Sequence, residues 1–412
     1  MPPPPTDPID PTDHPSSPRS GPLSGVRVLD LTTVVSGPMC TQALGDLGAD
    51  VIKLEAPAGD QTRYSGAPFK EPLFSAMHTQ MNRNKRSLVV DLKSEAGKRL
   101  ILEQIPRFDV LVENYRPDVL DRLGLGYETL TERHPGLVFC SINGFGRDGP
   151  YAALPAYDQL MQGLVGVMPA QGGNGPPAPV NGPIADKTSA VTAVGAILAA
   201  LFARERDPDG RGQHVEVAMI DAYAAFALPD PMTPRAFPPD FEETGLSAAF
   251  FSAWPTADGH VVGLIIQDHQ FAALCRVLGR EELITDARFQ EMGTRLGNYV
   301  ELVGLLREEV RGWSSAALVE RARAEGATFG PVNDIEAFLE DPHVRHRETV
   351  RVLEDERFGP TRYLAPPWGF SRTPASIDRH APRLGEHTDE VLRELGLDDS
   401  AIETLRSAAA IR

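Results

Sequence analysis

The stretch GVRVLDLTTVVSGPMCTQALGDLGADVIKLE, residues 25–55, decides the fold class. It opens on a short apolar strand, GVRVLDL. A loop, TTVVSGP, follows, and MCTQALGDLG reads as a helix stopped by glycine. ADVIKLE is the next strand. A strand, a helix and a strand in this order predict a parallel pair joined by a right-handed crossover. The alternation continues through RSLVVDL (86–92), DVLVEN (109–114), LVFCSIN (137–143) and QHVEVAM (213–219), with helical stretches between several of them. Repetition of this kind predicts an α/β fold, a doubly wound and Rossmann-like large domain.

The first loop has no GxGxxG, since TTVVSGP offers one glycine followed by proline. A dinucleotide site is therefore not expected. GxSxG and HExxH are also absent, so neither a nucleophile-elbow hydrolase nor a zinc peptidase is indicated. Three widely spaced cysteines, Cys40, Cys140 and Cys275, form no CxxC pair, so no metal site is expected and a reducing, cytoplasmic setting fits. The net charge is −17, from 40 basic and 57 acidic residues, which argues against a nucleic-acid partner. The start of the chain lacks the apolar centre of a signal peptide. The longest apolar run, from Ala190 to Ala203, is shorter than a bilayer requires, so no membrane partner is expected.

Composition divides the chain. Residues 1–22 hold nine prolines and read as a disordered arm. Residues 23–224 carry the N-terminal part of the large domain. Residues 225–330 begin with the proline-rich LPDPMTPRAFPPDFEETG and continue as a smaller α+β domain with its linker. Residues 331–412 form a C-terminal part.

Ligands of open α/β sheets bind at the carboxyl ends of the strands. Asp91 and Lys93 end one predicted strand, Asn114, Tyr115 and Arg116 another, and Asn143 a third. Lys93, Arg116 and Arg122 are either solvated surface charges or cations for an anionic cofactor. Lys85 to Ser87, within NRNKRS, is either a strand start or a cationic patch that steers a phosphorylated ligand.

Asp186 lies in VNGPIADKTSAVTAVGAILAALFARE, residues 180–205, between small residues and a long apolar helix. It has two readings. As an N-cap it stabilises the helix by about 1 kcal/mol. As a nucleophile it faces free N–H groups and the positive end of the helix dipole, with amides near enough to stabilise an oxyanion. Capping alone accounts for the carboxylate.

Six motifs in a fixed order carry a resemblance: residues 23–55, NRNKRSLVVDLK, VLVENYRPDVLDRLGL, GPIADKTSAVTAVGAILAAL, GRGQHVEVAMIDA and LGEHTDEVLRELGL. Together they resemble the class III CoA-transferase family of CaiB/BaiF type, which includes formyl-CoA transferase, carnitine CoA-transferases and α-methylacyl-CoA racemase. The resemblance implies an intertwined homodimer, with a large domain built from both ends of the chain. It places the catalytic aspartate at Asp186. CoA contacts fall on Val90, Asp91, Lys93, Asn114, Tyr115, Arg116, Arg122, Leu154 and Tyr157. CoA is then a substrate, and no metal or other cofactor is implied.

The racemase branch uses a histidine where this chain has Tyr157, and a phenol of pKa near ~10 is a poor base at neutral pH. Transfer of CoA between an acyl-CoA donor and a carboxylic acid acceptor is the expected activity. A racemase using Asp186 with Asp158, or a silent CoA-binding protein, is the alternative. Two departures from formyl-CoA transferase stand out: Val35 replaces a glutamine and Ala56 an arginine. They imply a more apolar entrance and a larger acceptor acid.

Overall fold

The structure is a computed structural model that describes residues 20–173, 175–239 and 249–412. The expected arm lies outside the described residues up to residue 19. The chain divides into two compact units. One comprises Met1–Asp230 with Glu348–Arg412, and the other is Pro231–Arg347.

The first unit is built on six strands: β1 (Arg27–Asp30), β2 (Asp50–Glu55), β3 (Lys85–Val89), β4 (Val110–Glu113), β5 (Val138–Asn143) and β6 (His214–Ala218). All neighbours pair in parallel. Their spatial order is β3-β2-β1-β4-β5-β6. This is the order of a dinucleotide-binding sheet, although the phosphate-binding glycines are missing. Helices cover both sides of the sheet, so β4 and β5 are buried throughout, while the edge strand β6 is partly exposed at its start. Each fully buried Val, Leu or Ile side chain contributes about 1.5–3 kcal/mol.

The chain winds outward in opposite directions from β1 and β4, so the crevice of the sheet opens beyond their carboxyl ends. Three helices flank it: α1 (Ser36–Asp46), α2 (Asp158–Leu164) and α3 (Ile184–Arg204). A fourth, α4 (Met219–Ala227), packs on α3. α3 has 21 residues and begins earlier than its apolar run. By length and composition it could cross a membrane, but half of its apolar window is buried inside the protein. Ala193, Val194, Ile197 and Leu201 form its inward face.

The C-terminal segment closes the β3 edge. Ile411 bridges Val90, and Arg86 reaches Glu390 and Glu394 at 2.9 and 2.8 Å. The second unit holds a three-stranded antiparallel sheet under helices, with Trp254, Phe271, Tyr299 and Leu306 in its core.

Candidate active site

The loop after β1 is fixed from below by buried charges. Asp30 accepts from the Thr32 N–H at 2.9 Å, from the Thr41 hydroxyl at 2.7 Å and from Lys85 Nζ at 2.9 Å. Burial pushes the Asp30 carboxyl up, but Lys85 and Lys53 outweigh it and hold it below its ordinary value. Lys53 Nζ donates to the Thr32 carbonyl at 2.7 Å and pairs with Asp60 at 3.1 Å.

From the side, Asn114 holds the same loop. Its Oδ1 accepts from the Thr33 N–H, and its Nδ2 donates to the Thr33 carbonyl, both at 2.8 Å. Nδ2 also lies 3.4 Å from Ser36 Oγ. The next residue, Val34, has φ of +69°, where a β-branched residue carries about 1–2 kcal/mol of strain. Its N–H donates to Asp60 Oδ1 at 3.2 Å. Gly37 lets the first turn of α1 sit against Thr32, since a Cβ there would lie 2.2 Å from the Thr32 Cβ. The outcome is a rigid loop that aims the start of α1 at Asp186.

Asp186 is the third residue of α3 and not its cap. The N-cap position belongs to Pro183, which supplies no side-chain bond. The cap comes from another helix: Asp158 Oδ2 accepts the Asp186 N–H at 3.0 Å. Asp158 Oδ1 accepts from Gln162 Nε2 at 2.6 Å, and Gln162 also holds the segment entering α3. The Asp186 carboxyl is pushed up to about 6. Burial is the main cause and the Asp158 charge the second, while the Ser36 hydroxyl and N–H draw it back down. A carboxylate with this value is mostly ionised at pH 7 and more basic than usual, as a nucleophile requires.

The structure brings some of the expected residues together. Asn114 faces the first loop. Tyr115 and Arg116 line a narrow cleft with Asp121, Tyr127, Asn143 and Arg147, and Glu113 lies at its wall. Burial pushes the Glu113 carboxyl up to about 7. Leu154 and Tyr157 are exposed just before α2, so Tyr157 directly precedes Asp158. Val90, Asp91 and Lys93 lie after β3, three strand positions and about 14 Å from the β4 end. The Val90 side chain is buried in the core, so it can offer a ligand only its main chain. Lys93, Arg116 and Arg122 are exposed, and none forms an ion pair among the described residues.

Two expectations are corrected. Lys85 and Arg86 are not a steering patch, because both are buried and paired, with Asp30 and with Asp50 and Glu394. Val35 is 2% exposed, so it adds no apolar surface at an entrance. Ser36 and Gln162 were not singled out from the sequence. Asp158 and Gln162 are spaced i, i+4 on one helix face, a signal that was readable.

The chain is similar to known proteins over most of its length. A sequence model of the family described as CoA-transferase family III matches residues 23–388. The succinate–glutarate CoA-transferase of Agrobacterium fabrum is 36% identical over 394 residues, covering 93% of this chain and 98% of that protein. The formyl-CoA:oxalate CoA-transferase of Streptomyces coelicolor is also 36% identical, covering 94% of this chain and 99% of that one. Among solved structures, a CAIB/BAIF family protein from Brucella suis superimposes with a TM-score of 0.80 at 32% identity, over 92% of this chain and 100% of its own.

Proposed function

Because the chain belongs to CoA-transferase family III and is a CoA-transferase, we propose that it moves CoA from an acyl-CoA donor to a free carboxylic acid with Asp186 as the nucleophile. The observation that carries this reading is the carboxyl of Asp186, raised to about 6 and facing the Ser36 N–H at the start of α1.

The steps balance as acyl transfers. An Asp186 oxygen attacks the thioester carbonyl, the C–S bond breaks, and CoA leaves as thiolate. The product is a mixed anhydride. The thiolate then attacks the aspartyl carbonyl, releasing the donor acid and leaving an aspartyl-CoA thioester. The acceptor carboxylate attacks that thioester and expels the thiolate, giving a second anhydride. Return of the thiolate to the acceptor carbonyl yields the new acyl-CoA and restores Asp186. Each tetrahedral oxyanion forms beside the N–H groups of α1, where preorganised donors act most strongly.

Lys93, Arg116 and Arg122 are the cations for the CoA phosphates, since they are exposed and form no ion pair among the described residues. Asn114, Tyr115, Leu154, Tyr157, Asp91 and the main chain of Val90 complete the CoA contacts. The acceptor is a small dicarboxylic acid. The names of the relatives, with succinate, glutarate and oxalate, support that class. A racemase using Asp158 is disfavoured, because both Asp158 oxygens are already engaged by N–H donors. The protein acts as an intertwined homodimer in the cytoplasm. The exposed Val191 and Phe202 on α3 and Phe226 on α4 supply apolar surface for a second copy.

The test pairs succinyl-CoA with a mixture of dicarboxylic acids and follows all CoA esters by mass spectrometry. Asp186→Ala should abolish transfer, and hydroxylamine should attack the aspartyl-CoA thioester, release CoA and leave a hydroxamate on the peptide holding Asp186. Full activity in the Asp186→Ala variant rejects the nucleophile.

A further inference from the structure

Gln162 is 1% exposed, and every polar atom of its amide is used. Its Oε1 accepts from the Val180 N–H at 2.8 Å. Its Nε2 donates to Asp158 Oδ1 at 2.6 Å and to the Gly182 carbonyl at 3.1 Å, with the Val180 carbonyl at 3.4 Å. The orientation of the amide is fixed by its partners. An N–H can only donate, so the atom facing Val180 N is the oxygen. Carbonyls and the Asp158 carboxylate accept, so the atom facing them is the nitrogen.

This geometry links three elements. Gln162 ties α2 to the segment from Val180 to Gly182, which leads directly into α3. Through Asp158 it ties α2 to the Asp186 N–H itself. Both Asp158 oxygens receive N–H donors, an arrangement that suits the anion and fixes its plane. Tyr223, on α4, also feels the Asp158 charge, and Ser36, on α1, reaches Asp186 with a neutral hydroxyl and its N–H. The charge beside Asp186 is therefore the one that Gln162 orients.

We infer that Gln162 is a positioning residue for the transfer reaction: its amide holds Asp158 against the first turn of α3 and thereby sets the place and basicity of Asp186. The inference rests on the reading of Asp186 as the nucleophile. With the amide gone, Asp158 is free to turn away from the first turn of α3. Asp186 then loses part of the repulsion that raises it, and the entry to α3 loosens.

Gln162→Leu keeps the volume and removes every hydrogen bond. It is expected to lower kcat by about tenfold while KM for the acyl-CoA changes by less than about twofold. The acid limb of the kcat profile should move down by about half a pH unit, since a like charge beside the nucleophile is relaxed. Gln162→Glu provides the rescue. A protonated glutamic acid offers one O–H donor for Asp158 and one carbonyl acceptor for the Val180 N–H, and lacks only the amide's second donor, to Gly182. Two carboxyls sharing one proton keep it well above the ordinary carboxylate range. This variant should therefore work near pH 6.5, within about threefold of wild type, and fall to the Gln162→Leu rate above pH ~8.

Wild-type kcat and an unmoved acid limb in Gln162→Leu overturn the inference. So does a flat profile in Gln162→Glu, which decides the matter alone where the leucine variant does not fold. Asp186→Asn is assayed alongside. Activity in that variant rejects the nucleophile itself, whereas an inactive Asp186→Asn with an unaffected Gln162→Leu rejects only the role of Gln162.

Discussion

Asn114 and Thr33 are joined by a two-way bridge, with the Asn114 amide accepting the Thr33 N–H and donating to the Thr33 carbonyl, each at 2.8 Å. The bridge crosses the sheet crevice between the ends of β1 and β4. It fixes the loop whose far end is Ser36. Asn114→Asp keeps the acceptor but loses the donor and sets a carboxylate oxygen against the Thr33 carbonyl. Stability should fall by about 1–3 kcal/mol in urea unfolding. Steady-state kinetics should show the loss mainly in kcat. A loss confined to KM would leave Asn114 its CoA contact alone and no part in holding the loop.

Ser36 acts on Asp186 in the opposite sense to Asp158. Its hydroxyl favours the ionised carboxylate and draws the value down. Ser36→Ala should raise the Asp186 carboxyl above about 6 and move the acid limb of kcat to higher pH. Activity at pH 7 should drop a few-fold and recover toward pH ~8.5, where the carboxyl is ionised regardless. An acid limb that stays in place counts against the contact.

Lys53 has no exposed surface and stands between two carboxylates that are equally buried. Asp60 Oδ2 has no hydrogen bond of its own and relies on the Lys53 charge at 3.1 Å. Lys53→Met leaves that charge uncompensated and frees the Thr32 carbonyl. The cost should be about 3–5 kcal/mol, measured by urea unfolding at pH 7. Asp60→Asn in the same background should return part of it, because the stranded charge is then removed.

The sheet was legible because each of its strands is a short apolar run between turn signals, and alternation with helices leaves few topologies. The site was less so. Asp186 reads locally as a cap because the partner that caps its N–H lies 28 residues away in α2. For Lys85 and Arg86 the cationic-patch reading stayed open beside the strand start for the same reason, since Arg86 finds Glu390 and Glu394 more than 300 residues later in the chain. Spacing reports what a residue can reach along its own element. It is silent on carboxylates delivered by the fold.

Asp186 also bears on stability. Its folded value, about 6, lies above the ordinary 3.8 of an aspartate. A raised carboxyl favours the folded state fully below 3.8, and that contribution is lost as pH rises toward 6. Above pH 6 the protein holds an ionised Asp186, buried and beside Asp158, at a net cost of roughly 3 kcal/mol. Asp186→Asn removes this charge and should melt a few degrees higher at pH 7.5 while being inactive. The advantage should shrink between pH 6 and 4 and vanish below that, read by thermal unfolding across the series. A variant that melts lower at pH 7.5 would mean that the carboxylate is held by contacts stronger than the cost of its burial and its repulsion from Asp158.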